Sequence, residues 1–152
     1  MSSDSPLTKL STMSGLEVLR AVLEGRIPYN GINRTLGFAA VSADEGQVLF
    51  AGTPDLGVYN PFGQVHGGYT ATLLDSAMAC AVHSTLKPGQ SYTTLELKVA
   101  FHKPITAETG CVSAIGTVLS QGRRAAFAEG KLSDAKGRLL ASATSTLIII
   151  DS

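Results

Sequence analysis

Between positions 60 and 75 the chain reads Asn60-Pro61-Phe62-Gly63-Gln64-Val65-His66-Gly67-Gly68 and then enters an apolar helical pattern that carries Asp75. Two glycines at a helix start leave backbone N–H groups that no side chain shields, and the helix dipole favours negative charge there. Such N–H groups can form an oxyanion site for acyl transfer. On the glycines alone a plainer reading stays open, in which Gly67 and Gly68 only permit a tight junction from loop to helix. Asp75, beside Ala71, Met78 and Val82, is the type of residue that serves as a general base, although a helical Asp can equally face solvent. Eight residues separate Gly67 from Asp75, roughly 12 Å along a helix axis, too far to act on one carbonyl within one chain. If both act on one substrate, Gly67 of one subunit must meet Asp75 of another. A two-fold dimer with antiparallel central helices would supply that pairing twice.

A long helix and a sheet must hold these residues. Residues 67–86 form the longest helical pattern, stopped by Lys87-Pro88-Gly89. At about 100° per residue, Tyr69, Thr72, Asp75, Ser76 and His83 fall in one arc and apolar residues fill most of the rest, so the helix is built to be wrapped. Upstream, Ser14 and Glu17 form a capping box, Leu16, Leu19 and Leu23 recur at helical spacing, and Gly25 supplies a stop. A loop with Pro28, Asn30 and Gly31 follows. Segments 36–42 and 47–53 flank Asp44, Glu45 and Gly46 as a hairpin. Residues 94–101 alternate, with Leu95, Leu97, Val99 and Phe101 on one face and Thr94, Glu96 and Lys98 on the other. Segments 109–119, 123–132 and 139–150 complete about six antiparallel strands. The simplest packing is an α+β domain over residues 14–152, one curved sheet wrapped around the long helix, plus the short N-terminal helix. Residues 1–13, rich in Ser and Thr, read as a flexible leader.

Composition narrows the partners. Twelve Lys+Arg balance twelve Asp+Glu, and charged residues make up 16% of the 152, against about 25% in average usage. A nucleic-acid-binding domain would carry a basic excess or stripe, so no nucleic acid is expected. Low charge with 44% hydrophobic residues suggests surface hidden in a homo-oligomer. The longest aliphatic run, 147–150, is far short of the ~18 residues of a membrane span. The N-terminus lacks the basic and apolar regions of a secretory signal, so a cytoplasmic location is expected. Cys80 and Cys111 read as buried free thiols. The three histidines lack metal-ligand spacing, so no metal is expected, and His83 and His102 read as surface or interface residues.

The order Asn60, His66-Gly67-Gly68, Asp75, with Thr94 on the next strand, resembles the hotdog-fold acyl-CoA thioesterases of the phenylacetate-degradation (PaaI-like) type, over residues 36–150. The resemblance implies a hotdog fold and a homodimer or dimer of dimers with sites at the subunit interface. It implies an acyl-CoA substrate with an aryl-acetyl, benzoyl-type or medium-chain acyl group. In that family pattern the N–H of Gly67 polarises the thioester carbonyl with Asn60 assisting, and His66 positions the thioester end. Asp75 of the facing subunit is the general base on water or the nucleophile itself, and Thr94 helps orient the water. Ala79 stands where a Glu-bearing branch carries Thr, which shifts water positioning towards Thr94. No cofactor is implied, coenzyme A being part of the substrate. Thioester hydrolysis builds charge on a carbonyl oxygen and expels a thiolate that needs little protonation, so one base and one oxyanion site suffice.

Without the resemblance, His66 reads equally as a loop histidine bonded to backbone, Asn60 before Pro61 as a turn initiator, and Thr94 as an ordinary strand residue. The phosphates of coenzyme A call for cations. Arg123 and Arg124 beside Gly122 are the substrate-binding candidates together with Gly68 at the helix start, and Lys103 and Arg138 stand behind them. Each of these cations can also be solvated surface. The alternative function is a non-catalytic acyl-CoA or acyl-carrier binding protein of the same fold. Regulators of that kind attach a helix-turn-helix, and residues 1–35 have room for only one short helix. A hydratase fits poorly, because His66 and Asp75 do not sit in the hydratase arrangement.

Overall fold

The computed structural model describes residues 10–29 and 31–151. The leader expected over 1–13 falls mostly on residues outside that range. Helix α1 (Gly15–Leu23) opens with the expected capping box: Ser14 Oγ accepts from the Glu17 N–H at 3.3 Å, and the Glu17 carboxylate accepts from the Ser14 N–H at 2.7 Å. Gly25 follows its end with a φ of 72°, a conformation that stops a helix. The loop expected next contains a second helix, α2 (Ile32–Leu36), of five residues. One turn is too short to show an apolar period, so only the tertiary packing reveals it.

Six strands follow in one antiparallel sheet: β1 (Phe38–Asp44), β2 (Gln47–Gly52), β3 (Gln90–Phe101), β4 (Val112–Gln121), β5 (Ala125–Asp134) and β6 (Leu139–Asp151). Their spatial order is β1-β2-β4-β5-β6-β3, which leaves β1 and β3 as edges. Between β2 and β3 runs the long helix α3 (Gly67–His83), packed on the sheet from β2 across to β3. It ends at Ser84, three residues before the expected stop. Leu73, Leu74, Met78 and Val82 of α3 and Val112, Leu132 and Leu147 of the sheet are almost wholly removed from water. Each such side chain contributes about 1.5–3 kcal/mol. The helix sits unusually close to β4, because a Cβ on Gly116 would lie 2.2 Å from the Ala77 carbonyl oxygen. The wrapped helix and six-stranded sheet make this a hotdog fold.

Two expectations fail in detail, and both concern the site. Tyr69 does not belong to a polar stripe: it is 3% exposed and packs edge-on against Phe38, ring centroids 6.1 Å apart. Strand β3 starts at Gln90, and its pairing with β6 is broken by a bulge between Thr94 and Glu96. A bulge inserts one unpaired residue and so reverses which parity faces the core. Leu95 is therefore turned out, 60% exposed, while Thr94, Leu97 and Val99 are all partly buried. Strict alternation had put Thr94 and Leu97 on opposite faces.

Candidate active site

Asn60 organises the turn that leads into α3. Its Oδ1 accepts from the N–H groups of Phe62 at 2.9 Å and Gln64 at 3.2 Å, and its own N–H donates to the Gln64 carbonyl at 2.7 Å. The turn-forming role is thus real, and with Oδ1 occupied Asn60 keeps its Nδ2 as a donor. His66 is the N-cap of α3, its Nδ1 accepting from the Gly68 N–H at 2.8 Å. The expectation of two open N–H groups is corrected to one: the imidazole takes Gly68, and Gly67 has no acceptor among the described residues. A side chain at either glycine would crowd its neighbour. A Cβ on Gly68 would lie 2.9 Å from His66 Nδ1, and one on Gly67 would lie 3.2 Å from the Phe101 ring. Asn60, Gly67, Phe101 and Lys103 line one depression of about 300 Å³.

Two turns further along α3, Asp75 is half-buried and accepts a hydrogen bond from the Thr94 hydroxyl at 3.2 Å. The bulge in β3 is what turns Thr94 towards it. Asp75 and Thr94 share a cleft of about 440 Å³ with Ser76, Cys80, Tyr92 and Phe50. Burial raises the Asp75 carboxyl above its ordinary value, and the Thr94 bond opposes part of that rise. A carboxylate in such a place is a stronger base than one in water once it has ionised. Burial and the charge of Asp75 push the Cys80 thiol up to about 12, which keeps it protonated and inert at neutral pH.

The two depressions share no lining residue. One holds the Gly67 N–H and the Asn60 amide and no carboxylate; the other holds the Asp75 carboxylate and no backbone donor from the helix start. The remaining candidates are placed differently from each other. Arg123 and Arg124 are exposed in the β4–β5 turn and line neither depression. Ala126 pairs with Leu147 and Leu147 with Thr94, so this turn lies across two strand spacings, about 10 Å, from the Thr94 side of the site. Lys103 lines the Gly67 depression, whereas Arg138 is tied to Asp134 by a 2.6 Å Nε–Oδ2 contact. Cys111 is exposed, which corrects the expectation that both thiols are buried. His102 is exposed and bonded to Ser142, but His83 is half-buried with its ring 5.6 Å from Tyr92, contrary to a surface role. Among the described residues no group of His, Cys, Asp and Glu could hold a metal, and no helix is long and apolar enough to cross a membrane. Tyr92, Cys80 and Phe101 had no sequence signal as site residues. Cys80 and Phe101 read as helix and strand positions and Tyr92 fell before the expected strand, and only the approach of α3 to β3 brings them to the clefts.

Comparison with known proteins agrees with this geometry. Residues 62–141, just over half of the chain, match the thioesterase superfamily model. The chain is 30% identical to human acyl-coenzyme A thioesterase 13 over 137 residues, covering 89% of this chain and 94% of the human protein. It is 24% identical over 119 residues to a 1,4-dihydroxy-2-naphthoyl-CoA hydrolase of Listeria monocytogenes, covering 78% and 95%. Among solved structures, a phenylacetic acid degradation-related protein from Ralstonia eutropha JMP134 superposes with a TM-score of 0.78 at 31% identity, covering 86% of this chain and 98% of that one. With the wrapped helix, the open Gly67 N–H and the Thr94-bonded Asp75 in place, the chain belongs to the thioesterase superfamily, among the hotdog-fold proteins of the phenylacetate-degradation type.

Proposed function

We propose that the protein hydrolyses acyl-CoA thioesters to free acid and coenzyme A, at two equivalent sites across a homodimer interface, with aryl-acetyl, benzoyl-type or medium-chain acyl groups as substrates. The observation that carries this reading is the division of the chemistry between two depressions of one chain, the Gly67 and Asn60 donors in one and the Asp75 carboxylate in the other. Edge strand β3 supports the pairing, because it bears Thr94 and its outer hydrogen-bonding groups await a partner.

In this mechanism the Gly67 N–H and the Asn60 Nδ2 donate to the thioester oxygen, where charge develops. Asp75 of the facing subunit takes a proton from water, or attacks the carbonyl itself. The tetrahedral intermediate then collapses and releases the thiolate of coenzyme A, leaving the free acid when water attacks, or an acyl–Asp75 anhydride that water then hydrolyses when Asp75 attacks. Thr94 donates to one oxygen of Asp75, which leaves the other oxygen for water, and the Thr94 oxygen can accept from that same water. His66 acts through Gly68: by capping it, the imidazole holds the helix start so that the Gly67 N–H faces the depression. Lys103 is the cation nearest the donors and is suited to the phosphates of the carrier.

Thiol release across acetyl-, hexanoyl-, decanoyl-, benzoyl- and phenylacetyl-CoA tests the reading. The expected result is kcat/KM of about 10⁴ M⁻¹ s⁻¹ or more on an aryl or medium-chain member. Stoichiometric binding of every ester without thiol release would overturn hydrolysis in favour of a carrier-binding role. Thr94→Val sharpens the test. The bond that lowers the Asp75 pKa is lost while burial remains, so the acid limb of the kcat/KM–pH profile should move to higher pH. An unmoved limb would show that Thr94 does not set the base.

A further inference from the structure

Phe101 ends β3 and lines the donor depression, and no step of the mechanism uses it. Beyond the bulge, positions 97, 99 and 101 share one side of the strand. Leu97 and Val99 pack against the core on that side, whereas the Phe101 ring is 58% exposed. The ring points its Cζ end at the helix start. A Cβ built on Gly67 would lie 3.2 Å from Phe101 Cζ and 3.3 Å from Cε1, so the ring tip fills the space beside the bare Cα of Gly67.

The backbone on either side of Gly67 is tied by hydrogen bonds. The Val65 N–H donates to the Ile105 carbonyl at 2.9 Å and the His66 N–H to the Val58 carbonyl at 2.8 Å. The Gly68 N–H donates to His66 Nδ1 at 2.8 Å and the Tyr69 N–H to the His66 carbonyl at 3.0 Å. In this run only the Gly67 N–H lacks an acceptor among the described residues. It also belongs to the residue type with the greatest backbone freedom. A donor for a developing oxyanion has to be aimed in advance, and a misplacement of about 1 Å can cost about a hundredfold in rate. A hydrogen bond cannot hold this donor in place, because it would occupy the N–H. An apolar contact on the Cα can hold it, since a phenyl ring leaves the N–H free.

We propose that Phe101 is a positioning residue, whose ring tip against the Cα of Gly67 holds the free N–H in the direction from which it meets the thioester oxygen. The role rests on the acyl-CoA reading above, which supplies that oxygen. His66 fixes the next N–H along the chain, so the free donor stands between an imidazole cap and a phenyl stop. The ring acts through Gly67 and takes no proton or charge itself, so its removal weakens the transition state more than the bound ester.

Three variants of the full chain test this on the ester that the wild type hydrolyses best. Phe101→Ala should lower kcat by about tenfold to a hundredfold and change KM by less than about twofold. Phe101→Leu keeps an apolar strand position without the ring tip and should lose kcat in the same way, which covers an alanine chain that does not fold. Phe101→Met, unbranched and long enough to reach Gly67, should recover most of the loss. An unchanged kcat, or a loss carried by KM alone, would overturn the role, because the ring would then only bind substrate or pack. Nitrogen-15 relaxation at the Gly67 amide supplies a readout without substrate. Its order parameter should stand near about 0.85 in the wild type and fall towards about 0.6 in Phe101→Ala or Phe101→Leu. Equal values would overturn the restraint. If no ester is hydrolysed, the acyl-CoA reading fails by itself, and the relaxation comparison still decides whether the ring holds Gly67.

Discussion

Replacing Asp75 with Asn should lower kcat for acyl-CoA hydrolysis by about a hundredfold or more, and the same variant should unfold at a higher temperature than the wild type at neutral pH. The activity loss follows because Asn cannot accept a proton or attack the carbonyl, yet it keeps the shape of Asp and an oxygen for the Thr94 hydroxyl. The stability gain follows from the raised pKa of Asp75, caused first by burial. The folded state binds this proton more tightly than the unfolded chain does, so ionising Asp75 costs stability, and the full cost applies above the folded-state pKa. Water in the half-open cleft screens part of it. Below the ordinary carboxylate range both states are protonated and the cost vanishes. The Tm advantage of Asp75→Asn should therefore be present at pH 7 and disappear as the pH falls towards 3. Thiol release and scanning calorimetry across that range check the two halves separately. Near wild-type turnover would remove Asp75 from the chemistry, and a lower Tm at pH 7 would show that its carboxylate is stabilising. Functional sites often carry such a local cost.

The largest effect on folding is expected at Gly116. An alanine Cβ there would approach the Ala77 oxygen to 2.2 Å, the Ala77 carbonyl carbon to 2.3 Å and the Met78 nitrogen to 2.5 Å. All three are backbone atoms in the middle of α3, so relief requires moving the helix off the sheet. Overpacking costs about 1–3 kcal/mol where side chains can give way, and Gly116→Ala should reach the top of that range or exceed it. Gly130→Ala is the control. Its Cβ would meet the tip of Leu74 at 3.0 Å and the Met78 side chain at 3.2 Å, which can rotate, so its loss should be smaller. Urea midpoints of the two variants test the difference. Equal midpoints would mean that α3 is free to shift, and the Gly67–Asp75 geometry would then not be held by close contact with β4.

Parts of the site were readable because they depend on neighbours in the chain. The Ser14 and Glu17 box, the stop at Gly25 and the turn at Asn60 are contacts within four residues. The separation of Gly67 and Asp75 follows from helix geometry alone. The capping of Gly68 by His66 is equally local and bears out the reading of His66 as a histidine bonded to backbone, yet histidine is not among the favoured N-cap residues, so its closing of one of the two expected N–H groups was not foreseen. Alternation over 94–101 misled, because a bulge has no marker in side-chain type: Leu95 looks like a core residue and is turned out.

By itself the sequence determined the order of the two longer helices and the strands, the apolar character of the long helix, the residue types that could polarise a carbonyl and activate water, and the distance that keeps them apart on one chain. These depend on periodicity and on contacts close in sequence. Only the tertiary structure decided that Thr94 meets Asp75, that Gly67 alone keeps an open N–H beside Asn60, and that Arg138 is held by Asp134. Those outcomes depend on strand register, on a one-residue bulge and on how closely α3 can lie against Gly116, where residues far apart in sequence compete for the same space.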